Sequence, residues 1–206
     1  MASAAGSTTD IEPDDRLRDW FTAYLNKFDD IDRRNLDIFE ARACRARIPD
    51  EMSREYGDLR SVLREVEVDK VWMILMSVTG SRYIMDRWGR TRKRRDALYE
   101  SIYERHVDIA ETIIEYLTPD QILQFLQLQD DQGQRYLYSL LLHTAFISSV
   151  LAKILYRLPE VSQIYEVLSI RDESGRNVLH HRAEKEIVDS LESRDLCFQL
   201  LSMQDN

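Results

Sequence analysis

The chain has 206 residues, of which 44% are hydrophobic and 32% charged, and this composition excludes a disordered protein. Its net charge of −9 disfavours a general nucleic-acid binder, because such binders need Lys and Arg to neutralise phosphates. The two cysteines are too few for a disulfide framework, and without a secretion signal they predict reduced thiols. The longest apolar stretch, residues 71–76, is far shorter than the ~20 residues that span a bilayer.

The N-terminal quarter predicts a loose tail followed by helices. Residues 1–9 are small and polar, and we expect a disordered tail over residues 1–12. Apolar residues from Asp14 to Phe28 recur with the spacing of an amphipathic helix, and a second helix is predicted from Arg33 to Ala46. Pro49 then marks a turn, with Asp50 or Ser53 as the cap of the next helix. Residues 13–50 are therefore predicted to form an N-terminal helical cap.

Paired helices are predicted in the rest of the chain. A helix ending near Val78 precedes a pair at 107–117 and 122–128, and a second pair follows at 150–158 and 161–168. Thr118 to Gln121 combine a cap residue with a proline at the first helical position, which indicates a helix start. With only four prolines, six glycines and little strict alternation, the sequence predicts an all-α fold.

Four similar five-residue stretches begin at Met76, Leu126, Leu168 and Leu201. Self-similarity at spacings of roughly 20–50 residues is typical of stacked repeats, which bury their apolar faces only against neighbouring units. Such an array leaves a long exposed surface that usually serves for binding. The sequence therefore predicts a helical repeat solenoid whose task is macromolecular recognition.

The stretch from Asp172 to Ala183 resembles an ankyrin repeat. Asp172 and Gly175 supply the turn, and Leu179, His180 and Ala183 match the family's T-P-L-H-x-A-A block. Asn177 and Val178 stand where the family has Thr-Pro. The spacing from Asp172 to the next equivalent Asp205 equals the family's 33-residue period.

Earlier units match the family less completely. Leu142, His143 and Ala145 again show L-H-x-A, and Arg105 to Ala110 resembles the G-H-x-E-[IV]-V start of the family's second helix. Residues 56–63 are similar to the same start. The resemblance implies an ankyrin-like array over residues 51–206, with approximate units at 51–85, 86–129, 130–171 and 172–206.

A basic run stands out in this acidic chain, with Arg87, Arg90, Arg92, Lys93, Arg94 and Arg95 inside nine positions. In ankyrin repeats the contacts come from turn tips and first helices. The resemblance therefore implies partner contacts at Arg90, Arg92, Lys93, Arg94, Arg95, Tyr99, Tyr103, Arg135, Tyr136, Arg176 and Asn177. The partner would be a protein, with an acidic or phosphorylated segment facing the run. The alternatives are solvated charge on a loop and, for the tyrosines, ordinary core packing.

Residue patterns for catalysis are lacking. The four histidines have no metal-ligand spacing, neither cysteine lies near a second ligand, and no glycine-rich phosphate loop or nucleophile elbow occurs. We therefore expect a non-enzymatic, cofactor-free adaptor or scaffold in the cytoplasm, or in the nucleus if the basic run acts as an import signal. The alternative is a structural or oligomerisation domain of a larger channel, enzyme or receptor. A nuclear nucleic-acid-associated factor that uses residues 87–95 is a third hypothesis.

Overall fold

The structure, a computed structural model, describes residues 12–34, 36–78, 84–85, 91–92, 96–128 and 147–169. Within these ranges the chain is helical apart from one short β pair, which confirms the predicted all-α class. In chain order the helices and strands are α1 Pro13–Arg33, α2 Ile38–Ala46, α3 Ile48–Tyr56, α4 Leu59–Arg64, α5 Val68–Ser77, β1 Ile84–Met85, β2 Thr91–Arg92, α6 Ala97–Tyr103, α7 Val107–Tyr116, α8 Pro119–Gln127, α9 Ile147–Arg157 and α10 Val161–Ser169.

Helix α1 is longer than the sequence predicted. It begins with Pro13 in its first turn and two acidic residues beside the positive end of the helix dipole. The buried stripe continues past Phe28 to Asp29 and Ile31, so the helix runs to Arg33 and not to Phe28. At 21 residues, α1 is the longest helix in the described ranges and measures about 31 Å.

The predicted starts of the next two helices were wrong, whereas the predicted end of the first of them at Ala46 is confirmed. Helix α2 begins at Ile38, because the Asp37 side chain accepts hydrogen bonds from the amides of Phe39 and Glu40, both at 2.8 Å. Arg33, the predicted start, belongs to α1. Helix α3 begins at Ile48 with Pro49 in its first turn, so neither Asp50 nor Ser53 is its cap.

Further along, the helix starts predicted at 107, at Thr118 and at 161 are confirmed, whereas the helix predicted from 150 begins at Ile147 and the start of α4 was not predicted. Gly57, with φ of +83°, ends α3 in the left-handed region, and the Asp58 carboxylate caps α4 by accepting from the Ser61 amide at 3.1 Å. At α8 the Thr118 hydroxyl accepts from the Gln121 amide at 3.3 Å. The Gln121 side chain accepts from the Thr118 amide at 2.9 Å, which completes a capping box.

The β pair was not predicted. Ile84 pairs with Arg92 and Met85 with Thr91 in antiparallel register, and the basic run begins between the two strands. Two residues on each side are too few to produce a visible alternation in the sequence.

One continuous apolar core joins the helices. Helix α1 packs against α2, α3, α4, α5 and α6, so residues 13–50 and the helices after Asp50 share a single interior. Helix α6 packs on α7. Helix α7 also contacts both α4 and α9, and α8 lies against α10.

The same burial pattern recurs in three successive helices. Each of α4, α7 and α9, taken with the one or two residues that follow it, buries a set of four apolar side chains at positions i, i+3, i+4 and i+7. These sets are Leu59, Val62, Leu63 and Val66; Ala110, Ile113, Ile114 and Leu117; and Leu151, Ile154, Leu155 and Leu158. Helix α7 buries Ile109 as well, and α9 buries Val150. The helices that come next in each case, α5, α8 and α10, also resemble one another. Each buries two adjacent apolar residues: Ile74 and Leu75, Phe125 and Leu126, and Val167 and Leu168.

Candidate interaction surface

Most of the predicted contact residues lie outside the described part of the chain. These are Arg90, Lys93, Arg94, Arg95, Arg135, Tyr136, Arg176 and Asn177, together with the predicted turn at 172–175. For Arg92 the structure describes the backbone, which forms part of β2. Tyr99 and Tyr103 are therefore the predicted contact side chains whose surroundings can be described.

Tyr99 and Tyr103 lie one turn apart on α6, and their rings stack at 6.0 Å between centroids. The Tyr99 side chain is only 3% exposed and belongs to the core. Tyr103 is half-buried and keeps part of its surface in solvent. On α6 it is therefore Tyr103, and not Tyr99, that has appreciable surface to offer a partner.

Helix α6 begins with buried polar groups directly after the basic run. Asp96 caps the helix by accepting from the Tyr99 amide at 2.8 Å, and Asp96, Glu100 and Ser101 are all fully buried. A buried carboxylate is costly unless charge or hydrogen bonds compensate it. These acids were not predictable from the sequence, because their spacing on a helix does not distinguish them from exposed ones.

Arg45 ties α1, α2 and α6 together. Its guanidinium forms ion pairs with Asp32 and with Glu104, the latter at 3.1 Å. Burial alone would lower the pKa of this guanidinium, but the carboxylates of Glu104 and Asp32 raise the pKa above its ordinary value. The carboxylates that hold Arg45 make it a structural cation, unlike the exposed arginines of α2.

His106 forms a second connection at the same place. Its Nε2–H donates to the Arg45 carbonyl at 3.0 Å, so Nδ1 is the acceptor for the Tyr24 hydroxyl at 2.8 Å. The ring also stacks on Phe28 at 5.7 Å. Burial lowers the pKa of His106 to about 4, and the hydrogen bond to the Arg45 carbonyl opposes this only in part.

Both ring nitrogens of His106 are thus occupied by protein groups, which leaves neither free for a substrate or a metal. The neutral imidazole joins α1 and α2 to the start of α7. The residue before it, Arg105, has φ of +67°, a left-handed conformation that most side chains avoid. The sharp turn between α6 and α7 therefore positions His106 for a structural role.

A polar groove of about 730 Å³ lies between α1 and α3. Lys27 bridges its walls, with Nζ at 3.3 Å from Glu51 and 2.9 Å from Glu55. Cys44 lines the groove beside Arg47, whose Nη2 lies 3.7 Å from the sulfur. Because the described lining contains no histidine to act as a base for this thiol, the groove lacks the pairing that nucleophilic catalysis needs.

Across the described ranges, no three His, Cys, Asp or Glu side chains are grouped so that they could hold a metal ion. Among the helices that the structure describes, none combines the length and apolarity required to cross a membrane.

No protein-family model, curated protein sequence or solved structure matches this chain.

Proposed function

We propose that this chain is an ankyrin-like helical repeat module that binds another protein and carries out no catalysis. The observation that supports this best is the recurrent burial register of α4, α7 and α9. Three helices with the same four inward positions lie side by side, α7 being in contact with both of the others. Units that bury their apolar faces against neighbours of the same pattern are typical of solenoids, whose outer surfaces bind proteins.

Turn geometry gives a second line of support. The residue before the cap of α4 is Gly57 and the residue before the cap of α7 is Arg105, and both adopt positive φ. The ankyrin pattern has glycine at this place, before the histidine of its second-helix start. His106 matches that histidine, and its ring donates to the Arg45 backbone carbonyl.

The charge of the basic run supports an acidic or phosphorylated partner. The basic run places six cations directly before α6 in a chain of net charge −9, so an acidic partner would be attracted there and repelled by most of the remaining surface. Half-buried Tyr103 lies on the helix that follows the run and can add an aromatic contact. We therefore propose an acidic or phosphorylated protein segment as the ligand.

Affinity capture from cell lysate tests this proposal. The wild-type chain is compared with Arg92→Gln/Arg94→Gln/Arg95→Gln and with the matched triple Arg18→Gln/Arg54→Gln/Arg64→Gln. The control arginines are exposed and form no ion pair with any described residue. We expect the wild type and the control to enrich the same protein, with a yield that falls as salt rises, and the first triple to lose it.

Phosphatase treatment of the lysate separates the two partner chemistries. Loss of capture after treatment identifies a phosphorylated segment, and unchanged capture identifies an acidic one. Equal yields from the two triple variants would remove the basic run from the contact. If no protein is enriched above a tag-only control, the binding function itself is wrong.

A further inference from the structure

Helix α2 presents an unusually apolar and basic face to solvent. Ile38 is 83% exposed and Phe39 84% exposed, and α2 contains no fully buried residue. Phe39, Arg42, Ala43 and Ala46 share one side of the helix by their i, i+3, i+4 and i+7 spacing. We call the exposed residues Arg33, Arg34, Ile38, Phe39, Arg42 and Arg47 the basic face.

Charges on the basic face are largely uncompensated. Among the described residues, Arg34, Arg42 and Arg47 form no ion pair, and Arg33 has only a 3.4 Å contact with the exposed carboxylate of Asp30. Residues 33–47 include five arginines against two acids, in a chain that is otherwise strongly acidic. Isolated exposed apolar residues are common, but adjacent ones rimmed by polar residues mark an interaction site.

The junction of α4 and α5 combines exposed apolar side chains with the opposite charge. Glu65, Glu67 and Asp69 are exposed within five residues, and exposed apolar side chains accompany them, with Val68 at 45% and Met73 at 60%. We call these five residues the acidic corner. Of its carboxylates, Glu65 pairs with Arg16 in the same molecule, while Glu67 and Asp69 form no ion pair with a described residue.

Helix α1 separates the two surfaces. The acidic corner is anchored near its start by the ion pair of Lys70 with Asp14 at 3.1 Å, and α2 is anchored near its end by the pair of Arg45 with Asp32. Asp14 and Asp32 are 18 positions apart, which corresponds to about 27 Å along a helix. The basic face therefore cannot reach the acidic corner of its own molecule.

We propose that the basic face of one chain docks on the acidic corner of a second copy, in a head-to-tail contact. Phe39 and Ile38 lie against Val68 and Met73, and Arg42 and Arg47 pair with Glu67 and Asp69. This contact joins two different surfaces, so each copy keeps one free surface of each kind and can continue the assembly. It goes beyond the proposed function, because it uses none of the residues assigned there to the protein partner.

An anionic membrane is the other ligand that attracts a basic helix with exposed apolar residues. Helix α2 has only nine residues, and the protein as a whole carries −9, which anionic headgroups repel. The acidic corner, in contrast, offers the opposite charge and matching apolar area on a folded surface. The observations therefore favour a second copy.

Sedimentation velocity over a wide concentration range tests the contact with purified chain alone. We expect wild-type protein to form dimers and larger species as its concentration rises, and to dissociate as salt is added. Arg42→Glu/Arg47→Glu and Glu67→Lys/Asp69→Lys should each weaken self-association by about tenfold or more, since each places like charges opposite one another.

Mixing a neutral variant of each surface, Arg42→Gln/Arg47→Gln with Glu67→Gln/Asp69→Asn, gives the sharpest result, because two charge-reversed surfaces would attract each other. Each neutral variant keeps one intact surface, so an equimolar mixture should form a 1:1 heterodimer and stop there. A symmetric contact, in which the same patch meets itself, would not produce this product. The Arg18→Glu/Arg54→Glu variant, whose two arginines are exposed and belong to neither surface, is the matched charge control and should associate as the wild type does.

The apolar part of the contact has its own control. Phe39→Ser should weaken association by about tenfold, while Tyr156→Ser removes an equally exposed aromatic, at 87%, from α9 and should have no effect. Circular dichroism of each variant verifies that it is folded. A wild type that stays monomeric at its highest attainable concentration would overturn the proposal, as would a monomer that binds phosphatidylserine vesicles through Phe39.

Discussion

Through specific polar contacts, His106 at the start of α7 connects this helix with α1, α2 and α6. Its two ring nitrogens connect the Tyr24 hydroxyl on α1 with the Arg45 carbonyl in α2, and its backbone amide donates to the Ser101 carbonyl of α6 at 2.8 Å. This arrangement needs the neutral imidazole, because protonation of Nδ1 removes the acceptor that the Tyr24 hydroxyl uses. The protonation state of the His106 imidazole is thus coupled to the packing of α1.

Stability should therefore depend on pH through this one group. The pKa of His106 is about 4 in the folded chain and near 6.5 when unfolded, so the unfolded chain binds more protons between these values. The free energy of unfolding should fall as pH drops from 6.5 towards 4, by up to about 3 kcal/mol. Urea denaturation at a series of pH values measures this loss.

His106→Gln serves as the comparison, because an amide can both donate and accept but does not titrate. The variant should lack the part of the pH dependence that belongs to His106, whatever its stability at neutral pH. Identical pH profiles for the wild type and the variant would show that the imidazole does not govern acid sensitivity.

At the scale of single helices, the capping residues decide where a helix begins. Thr118, Pro119 and Gln121 form a complete start signal, and α8 begins there as the sequence predicted. For α2, in contrast, the predicted start at Arg33 did not rest on a capping residue. The Asp37 side chain satisfies the first free amides, so the helix begins five residues later than expected.

The capping box of α8 should contribute measurably to stability. Thr118→Ala removes the acceptor of the Gln121 amide, and Gln121 is itself buried, so we expect a loss of about 1 kcal/mol in the free energy of unfolding. Thr118→Ser keeps the hydroxyl and should stay within about 0.5 kcal/mol of wild type. Chemical denaturation distinguishes the two, and equal losses would mean that the lost methyl group, and not the cap, matters.

At the scale of the whole molecule, the order of contacts distinguishes a stack from a common centre. In a stack, α7 is the neighbour of both α4 and α9. The effects of two substitutions on the free energy of unfolding then depend on each other mainly when the substitutions lie in adjacent units. In a globule arranged around one centre, all three helices would couple to one another. Val62, Ile113 and Ile154 occupy equivalent buried positions and allow this comparison.

Double-mutant cycles among alanine variants of these three residues should follow the stack. We expect Ile113 to couple with Val62 and with Ile154 by about 0.5 kcal/mol or more, and Val62 with Ile154 by less than that. Each single variant should cost between about 1 and 5 kcal/mol, because it leaves a cavity. Equal coupling in all three pairs would contradict the repeat architecture.

The helices after Asp50 were largely predictable, because their signals are local. The apolar spacing around Ile113 and the cap at Thr118 involve residues within a turn or two of each other. The candidate surface was less predictable. Tyr99 and Tyr103 have the same sequence character, yet the first is in the core and the second half-exposed, because burial depends on which helices pack over α6.

The amino-acid sequence by itself determined the helical class, the helix starts at 107, at Thr118 and at 161, and the apolar face of α7, since hydrogen bonds and side-chain period within a helix act over a few residues. Only the tertiary structure decided which residues of the other helices α1 contacts. Its packing brings Tyr24 to His106 and Asp32 to Arg45, and it holds the basic face and the acidic corner at opposite ends. These contacts connect residues far apart in the chain, and their geometry exists only once the helices have packed.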